Sequence, residues 1–394
     1  MNRRQGMIAA VALLASRWVF AQSLPAAPKP VGRVLEVGPD KQLRTPSAAA
    51  KVARDGDEIR IASAEYAADV AVWPQSGLRF VGVGKSKPLL VAQTAAAEGK
   101  AIWVIQGDNI EIENLVFEGC RVPDRNGAGI RAEGKRLSVR HCIFRGNETA
   151  ILTSNRSDGE LLIEHSELDR NFTPQQGFMH NIYVGRIARF TMRFCYVHGA
   201  VVGHNVKTRA ATNFIAYNLI TDGDDGRPSY CVDIPDGGQV HMVGNIVHKS
   251  PRAENNTAIS YGAENLFHAR HAFVFAHNTV IFEQDTGNFL LVRPESKVVA
   301  PVRLINNVFA GQGRLQLPAA LESHNNVQVN LNGFSIGELA NFQPDASKAK
   351  LGSETLTKFL APGETPAFQY VHPLQGRALN PNDLRWAGAV QQRK

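Results

Sequence analysis

The segment FVFAHNTV (residues 273–280) contains the pattern that decides the fold of this chain. Phe273 and Phe275 alternate with smaller residues, Asn278 follows, and Val280 is again apolar. Alternation with a period of two is typical of a short β-strand with one buried face. The same form recurs in eight further segments: IEIENLVF (110–117), LSVRHCIF (137–144), LLIEHSEL (161–168), FTMRFCYV (190–197), NFIAYNLI (213–220), VHMVGNIV (240–247), VRLINNVF (302–309) and, less regularly, LESHNNVQV (321–329).

The spacing of these segments predicts a solenoid. Corresponding positions are 18 to 33 residues apart, mostly 23 to 29. A repeat of this length, with short strands and few helix signals, is typical of one coil per repeat. Because an isolated coil cannot bury its apolar side chains, many coils must stack. We therefore predict an all-β fold, a single parallel β-helix of about ten coils.

One position in each segment is small or polar and is expected to lie at a bend of the coil. It is occupied by Leu115, Cys142, Ser166, Cys195, Asn218, Asn245, Asn278, Asn307 and Asn325. Stacked asparagines can hydrogen-bond to one another and to the turn backbone. Cys142 and Cys195 would be two coils apart, roughly 9–10 Å at normal strand spacing, which is too far for a disulfide. We interpret both as buried thiols.

The two ends of the chain differ from the repeats. Residues 1–21 have the features of a secretion signal, with Arg3 and Arg4 before a short apolar run and a small residue at the end. A Pro- and Ala-rich linker is predicted over 22–33, the β-helix over 34–330 and a capping tail over 331–394. A short helix is predicted from Pro46, with Thr45 as its N-cap. We expect a periplasmic or secreted protein without a membrane span.

The net charge of +7 is compatible with an anionic partner, and equally with a role in solubility alone. Export argues against nucleic acid, which leaves an acidic polysaccharide as the expected partner. We expect the protein to act as a monomer.

The sequence near both ends resembles that of a known superfamily. AAAKVARDGDEIRIASAEYAADV (48–70) is similar to the opening of many secreted right-handed β-helix proteins, and TPAFQYVHPLQGRAL (365–379) to their usual tail. The whole mature chain resembles the pectate-lyase-like superfamily of carbohydrate-active β-helices. The resemblance implies a right-handed β-helix that acts on polysaccharides, and lyases of this kind use Lys or Arg bases, often with calcium. It covers the architecture and supplies no catalytic motif.

A second strand in each coil locates a candidate site. The segments are GIRAE (129–133), AILTS (150–154), NIYVG (181–185), NVKTR (205–209), CVDIP (231–235) and AISYG (258–262). Alternation predicts an outward column made of Arg131, Leu152, Tyr183, Lys207, Asp233 and Ser260. Asn181 and Asn205 are predicted to stand beside it. Polar and charged residues concentrate in the three middle coils, which predicts a groove there.

The residue types in these coils favour β-elimination of a uronate polymer. The reaction needs a base near the C5 proton and groups that neutralise the adjacent carboxylate. We predict Lys207 as the base, Arg209 as the carboxylate clamp and Tyr183 as the proton donor to the leaving oxygen. His180 and His204 are further candidate bases, although strand alternation slightly favours a structural role for both. The predicted substrate-binding residues are Asn181, Asn205, Asp233, Tyr230, Glu264 and Arg131.

Three alternatives remain open at this stage. A glycoside hydrolase would need two carboxylates, for which Asp233, Asp236, Glu264 and the acidic turn 222–225 are candidates. The acidic turn could bind calcium through Asp222, Asp224 and Asp225, although a solvated turn is favoured. A binding or adhesion protein could use the same groove without catalysis, and the pairing of Lys207 with Asp233 could be a simple surface ion pair.

Overall fold

The computed structural model describes residues 32–172, 179–223, 226–264, 266–293, 301–318, 321–334, 342, 344, 358–361, 363–380 and 384–391. Within these residues, three parallel sheets run the length of the molecule, and an antiparallel hairpin lies near the C-terminus. The chain visits the first, second and third sheets in turn, so each coil pairs only with the coils above and below it. The all-β parallel β-helix of about ten coils is therefore confirmed.

The strands are short, as the alternating segments predict. The first sheet contains Val34–Val37, Glu58–Ala62, Arg79–Val83, Ile110–Glu113, Arg136–Arg140, Arg156–Glu164, Ile187–Arg193, Thr212–Ala216, Gln239–Val243, Ala272–Ala276, Val302–Ile305 and Leu321–His324. The second contains Glu65–Ala67, Leu89–Val91, Val116–Glu118, Ile143–Arg145, Glu167–Asp169, Tyr196–His198, Leu219–Thr221, Ile246–Lys249, Thr279–Phe282, Val308–Gly311 and Val327–Val329. The third contains Ala71–Trp73, Ala101–Ile105, Ala128–Ala132, Thr149–Thr153, Ile182–Val184, Val206–Thr208, Val232–Ile234, Thr257–Tyr261, Asn288–Val292 and Arg314–Gln316.

The core is a continuous apolar column inside the coils. Inward residues of the third sheet, such as Ile182, Val206 and Val232, are fully buried, and so are their counterparts on the other two sheets. Aromatic rings stack from coil to coil, and the Phe117 and Phe144 rings lie parallel with centroids 5.0 Å apart. Each coil thus buries its apolar face only against its neighbours, which is why many coils must stack for the fold to be stable.

A ladder of asparagines marks the bend between the first and second sheets. The Asn218 amide donates to Asn245 over 2.9 Å, Asn245 to Asn278 over 2.9 Å, and Asn278 to Asn307 over 3.3 Å. The last rung is Asn326, which accepts from Asn307 over 2.8 Å, and the prediction of Asn325 is wrong.

The reason for that error is a backbone conformation that recurs at this bend. The residue before each ladder position adopts a left-handed backbone, with φ values of 57° at Tyr217, 52° at His277 and 57° at Asn306. Asn325 has the same conformation, with φ of 52°, so it occupies the preceding position and Asn326 points inward. The hydrophobic alternation of this last segment is too weak to fix the register.

Cys142 and Cys195 are buried free thiols, as predicted. All four cysteines, including Cys120 and Cys231, are buried and unpaired. Burial raises the pKa of the Cys142 and Cys195 thiols to about 12, so both are protonated at neutral pH.

The predicted N-terminal helix spans Pro46–Ala50, and the Thr45 side chain accepts a hydrogen bond from the Ala48 amide as its N-cap. A strand, Val34–Val37, precedes the helix and pairs in parallel with Glu58–Ala62. The sheet therefore begins before the helix. Residues 1–31 lie outside the described residues, and with them the predicted signal and most of the linker. No described helix is long and apolar enough to cross a bilayer.

The described part of the tail packs along the side of the coils. A hairpin of Phe368–Val371 and Gln375–Ala378 follows the short 3-10 turn Leu331–Gly333. Phe368 packs against Phe194 and Tyr217, and Tyr370 joins a cluster that includes Leu219 and Ile246. The sequence predicted a cover on the last coil, whereas these residues cover the outer face of middle coils.

Candidate functional site

The outward column predicted on the third sheet is present. Direct pairing in register joins Arg131 to Leu152, Leu152 to Tyr183, Tyr183 to Lys207, Lys207 to Asp233 and Asp233 to Ser260. Strand alternation explains this arrangement, since the flanking residues of each strand are apolar and fill the core. Tyr183, Lys207 and Asp233 therefore stand side by side on three adjacent coils.

Lys207 is the central cation of the column. Its Nζ lies 3.6 Å from Asp233 Oδ2 and 3.4 Å from Glu264 Oε1. The same Nζ is 5.7 Å from the centroid of the Tyr183 ring, within the range of a cation–π contact. Lys207 is thus held by two carboxylates from the following coils and by an aromatic ring from the preceding coil.

Arg209 connects the column to the turn beside it. Its Nε donates to the Tyr183 hydroxyl over 3.0 Å, its Nη1 donates to Asp236, and its Nη2 donates to Glu264 Oε2 over 2.6 Å. Tyr183, Lys207, Arg209, Asp233 and Glu264 are called the Lys207 cluster below. Glu264 has 46% of its side chain exposed and is the most exposed carboxylate of the cluster.

Asp236 and Arg186 form a support for this cluster that the sequence did not assign to it. The fully buried Asp236 carboxylate accepts from Arg209 and, over 2.7 Å, from Arg186 Nε. Arg186 also lies 4.0 Å from the centroid of the Phe267 ring. Phe267 is 58% exposed, which gives the site an exposed aromatic face at its edge. In the sequence, Phe267 stands among the polar residues of the turn 264–270, and it was the feature that could have indicated this edge of the site.

Asp233 is nearly enclosed, with 3% of its surface exposed. Its Oδ2 faces Lys207, while its Oδ1 has no hydrogen-bond partner. Burial raises the pKa of this carboxyl to about 6, even though Lys207 favours the charged form. The pKa of the Glu264 carboxyl moves the other way: burial would raise it, but Arg209 and Lys207 together lower it. The site therefore holds two carboxylates of unequal acidity.

His180 and His204, the further candidate bases, are buried. The rings stack with centroids 4.6 Å apart. His180 Nδ1 accepts from the His204 amide over 3.0 Å, and His204 Nδ1 accepts from the Tyr230 amide over 3.1 Å. The proton of each neutral ring is thus on Nε2, and no lone pair is left for substrate. Burial lowers the pKa of both rings, that of His180 to about 3.

The side chains of Asn181 and Asn205, predicted to bind substrate, point into the molecule and are fully buried. They belong to a second interior ladder in which Asn147, Asn171, Asn181, Asn205 and Asp222 hydrogen-bond in succession. Asn205 Oδ1 accepts from the Asn181 amide over 3.1 Å, and Asn205 Nδ2 donates to Asp222 over 3.2 Å. Both residues precede their strands, where the alternation used in the prediction does not yet apply.

Two other predicted substrate-binding residues lie beside or outside the Lys207 cluster. Tyr230 is partly exposed and stacks on His204 with centroids 4.9 Å apart, so it lies next to the cluster. Arg131 is separated from Lys207 by the Leu152 and Tyr183 coils, and its nearest acidic partner is Glu133 at 3.8 Å. The structure does not bring Arg131 into the cluster.

Asp222 is the one described residue of the three considered for a calcium site in the acidic turn. Asp222 is fully buried, and its two oxygens accept from the Asn205 side chain and the Ser250 amide. Lys249, also fully buried, lies 3.7 Å from Asp222 Oδ2. The oxygens of Asp222 are thus already occupied by N–H donors and by the Lys249 ammonium group. Asp224 and Asp225 lie outside the described residues.

Residues 91–280 match the family described as "Right handed beta helix region". Pectate lyase Pel9A shares 12% identity over 92% of this chain and 97% of its own, with a TM-score of 0.54. An alginate lyase from Paenibacillus sp. str. FPU-7 shares 13% identity over 74% of this chain and 97% of its own, with a TM-score of 0.42. The Aspergillus niger pectin methylesterase shares 13% identity over 78% of this chain and 88% of its own, with a TM-score of 0.34.

No curated protein sequence matches this chain. At such identities a structural likeness concerns the fold, and of these three structures the pectate lyase exceeds a TM-score of 0.5. The family match and this likeness agree with the three parallel sheets described above. The chain is a right-handed parallel β-helix protein with the pectate-lyase-like architecture.

Proposed function

We propose that this protein binds an acidic, uronate-containing polysaccharide on the outer face of the third sheet and cleaves it by β-elimination. The observation that carries the proposal is the position of Glu264, whose carboxylate contacts both Arg209, over 2.6 Å, and Lys207, over 3.4 Å. Two cations side by side, bridged by one exposed carboxylate, form a site that a substrate carboxylate can occupy in its place. The fold shared with a solved pectate lyase supports this proposal.

The substrate carboxylate would displace Glu264 and accept hydrogen bonds from the guanidinium of Arg209. Arg209 is well placed for this role because Asp236 and Tyr183 fix its other nitrogens. The Nη2 group that Glu264 vacates and the neighbouring Lys207 Nζ can then both hydrogen-bond to the substrate carboxylate. Negative charge that develops on the carboxylate during proton removal would thus be stabilised where it forms.

The chemistry assigns one role to each remaining group. Lys207 first gives up its ammonium proton to solvent; the resulting amine then accepts the C5 proton, and the C4–O bond breaks as a C4=C5 double bond forms. Tyr183 donates its phenolic proton to the leaving oxygen; its hydroxyl oxygen already accepts from Arg209, so its own hydrogen is free. The proton on Lys207 then returns to the Tyr183 phenolate, which restores the site. General acid and base groups of this kind typically contribute ~10²–10⁴-fold each.

Glycoside hydrolysis is the second candidate, because the two carboxylates of the cluster differ in acidity. Asp233 and Glu264 both contact the Lys207 ammonium, so their nearest oxygens are at most about 7 Å apart. Burial raises the pKa of Asp233 to about 6, while Arg209 and Lys207 lower that of Glu264. A protonated acid beside an ionised carboxylate is the pair that glycosidases use.

A panel of acidic and neutral polysaccharides distinguishes these functions. We expect the protein to generate the ultraviolet absorbance of an unsaturated uronate, and Lys207→Met and Arg209→Ala to abolish it. Lys135→Ala is the matched control, because Lys135 is an exposed lysine of an earlier coil that pairs only loosely with Asp158, at 3.5 Å.

Three outcomes would count against the lyase proposal. Release of reducing ends without absorbance, lost in Asp233→Asn and Glu264→Gln, indicates hydrolysis. Retention of a polysaccharide without any cleavage indicates a binding protein. Full lyase activity in both Lys207→Met and Arg209→Ala would show that the Lys207 cluster takes no part in the reaction.

We also propose that the chain is exported to the periplasm or the medium and acts there as a monomer. An extended polymer substrate and the N-terminal signal-like sequence support export. Cell fractionation and the size of the purified protein in solution test these two points. A cytoplasmic location of the full-length product, or a stable dimer, would contradict them.

A further inference from the structure

A second cluster of ionisable side chains lies on the outer face of the second sheet, away from the Lys207 cluster. Glu167 and Asp169 are two residues apart on the strand Glu167–Asp169, and Leu168 between them is buried in the core. Asp169 pairs in register with His198 of the next coil. One ring nitrogen of His198 and one oxygen of each carboxylate lie within 4.8 Å of one another.

His198 has a carboxylate oxygen on both sides of its ring. Its Nε2 lies 3.1 Å from Glu167 Oε1, and its Nδ1 lies 3.5 Å from Asp169 Oδ1. A neutral imidazole has one N–H donor and one lone pair. A neutral ring can therefore donate to only one of the two carboxylates, and a cation, either a second ring proton or a metal ion, is needed to satisfy both.

Asp169 supplies an independent indication that a ligand is needed. Its side chain is 9% exposed, and Oδ2 accepts from Arg170 over 2.7 Å. Its Oδ1, which faces His198, is buried and has no hydrogen-bond partner. A buried carboxylate oxygen without a donor is costly, and a bound metal ion relieves that cost.

We propose that Glu167, Asp169 and His198 bind a divalent transition-metal ion such as Zn²⁺. An imidazole nitrogen with two carboxylate oxygens is a ligand set that suits zinc, whereas calcium takes six to eight oxygen ligands. Zinc bonds to nitrogen and oxygen are about 2.0–2.2 Å long, so small side-chain rotations bring these three groups around one ion. The second ring nitrogen, as N–H, would then donate to a carboxylate oxygen.

The ion would join two coils from the outside. Glu167 and Asp169 belong to one coil and His198 to the next, so the metal would bridge a sheet that otherwise relies on backbone pairing. Tyr196, on the same strand as His198, stacks on that ring with centroids 3.9 Å apart and meets His372 of the tail edge-on. The site thus lies beside the surface where the C-terminal hairpin packs.

The test uses the full chain without a polyhistidine tag, stripped with a chelator. Calorimetric titration with Zn²⁺ is expected to show one ion per chain, and Co²⁺ to give the visible absorption bands of a nitrogen- and oxygen-ligated site. Asp169→Asn and His198→Ala are expected to weaken Zn²⁺ binding at least tenfold. Zn²⁺ should also raise the melting temperature of the native protein but not that of these variants.

His248→Gln is the matched control, because His248 stands in the same outward column and contacts a single carboxylate, Glu283, over 2.6 Å. It is expected to bind Zn²⁺ as the native protein does. Absence of saturable Zn²⁺ and Co²⁺ binding by the native chain would overturn the proposal, and so would equal binding by Asp169→Asn. Because Glu167→Gln preserves side-chain shape, it decides the question if another variant fails to fold.

Discussion

Lys207 and Asp233 face each other across neighbouring coils, with Nζ and Oδ2 3.6 Å apart, while the other oxygen of Asp233 has no hydrogen-bond partner. The carboxylate of Asp233 is therefore only partly hydrogen-bonded, although the residue is almost completely buried. A carboxylate kept in this state lowers the stability of the fold unless it is protonated. That cost is measurable and provides the first prediction.

Asp233→Asn is expected to stabilise the protein at neutral pH. The folded-state pKa of Asp233 is about 6 and the ordinary value is 3.8, so the folded protein holds this proton more tightly than the unfolded chain. Stability from this group is therefore greatest below about pH 4, falls as pH rises to 6 and stays low above it. The shift corresponds to roughly 3 kcal/mol, at about 1.4 kcal/mol for each pH unit.

Urea unfolding of the native protein and the variant between pH 4 and 7.5 measures this effect. The variant should lack the decline in stability between pH 4 and 6. An Asp233→Asn protein that is less stable than the native protein at pH 7 would show that the ion pair with Lys207 outweighs burial.

Glu264→Gln is expected to lower KM for an acidic substrate several-fold, with little loss of kcat. The physical reason is that Glu264 occupies Arg209 and Lys207 in the free protein and must be displaced by substrate. Steady-state kinetics on the active polysaccharide checks this. A fall in kcat of a hundredfold or more at unchanged KM would instead assign Glu264 to the chemistry, as in the hydrolase alternative.

Phe267→Ala is expected to raise KM up to about tenfold and to leave kcat and stability nearly unchanged. The ring is 58% exposed beside Arg186 and offers a flat apolar face to a sugar. Val52→Ala, which shortens an apolar side chain in a residue that is 47% exposed, is the control for surface effects. Equal KM values for the native protein and Phe267→Ala would exclude a contact between this ring and the substrate.

Asn205→Ala is expected to destabilise the fold by about 1–3 kcal/mol without a specific effect on substrate affinity. Asn205 accepts from Asn181 and Ala200 and donates to Thr221 and Asp222, all in the interior. Urea unfolding measures the loss, with Asn126→Ala at a partly exposed turn as the control. A raised KM at full stability would restore the role in substrate binding that the sequence predicted for Asn205.

Strand alternation predicted the parts of this molecule that lie within regular strands. The column of Tyr183, Lys207 and Asp233 follows from it, because the apolar neighbours of each residue must fill the core. The Asn ladder from Asn218 to Asn307 was equally predictable, since a buried amide at a repeated bend has only its counterparts as partners. Both predictions depend on local patterns that repeat in every coil.

The errors arise where strands begin or end. Asn181 and Asn205 lie one residue before their strands, where backbone turns reverse the expected side-chain direction. Asn325 and Asn326 are adjacent asparagines, and only the left-handed backbone of the first distinguishes them. Arg186 meets Asp236 across 50 residues of sequence, and the histidine tautomers depend on backbone amides of the next coil. No local sequence pattern contains this information.

The C-terminal hairpin has a consequence for the biogenesis of the protein. The ring of Phe368 lies on the column formed by Phe194 and Tyr217, and the carbonyl of Leu374 contacts His165 across 209 residues of sequence. During synthesis from the N-terminus, the coils that carry this column emerge long before the segment that shields it. A ribosome-bound chain that lacks this segment therefore exposes the rings of Phe194 and Tyr217, and exposed apolar surface of this kind favours self-association of truncated products.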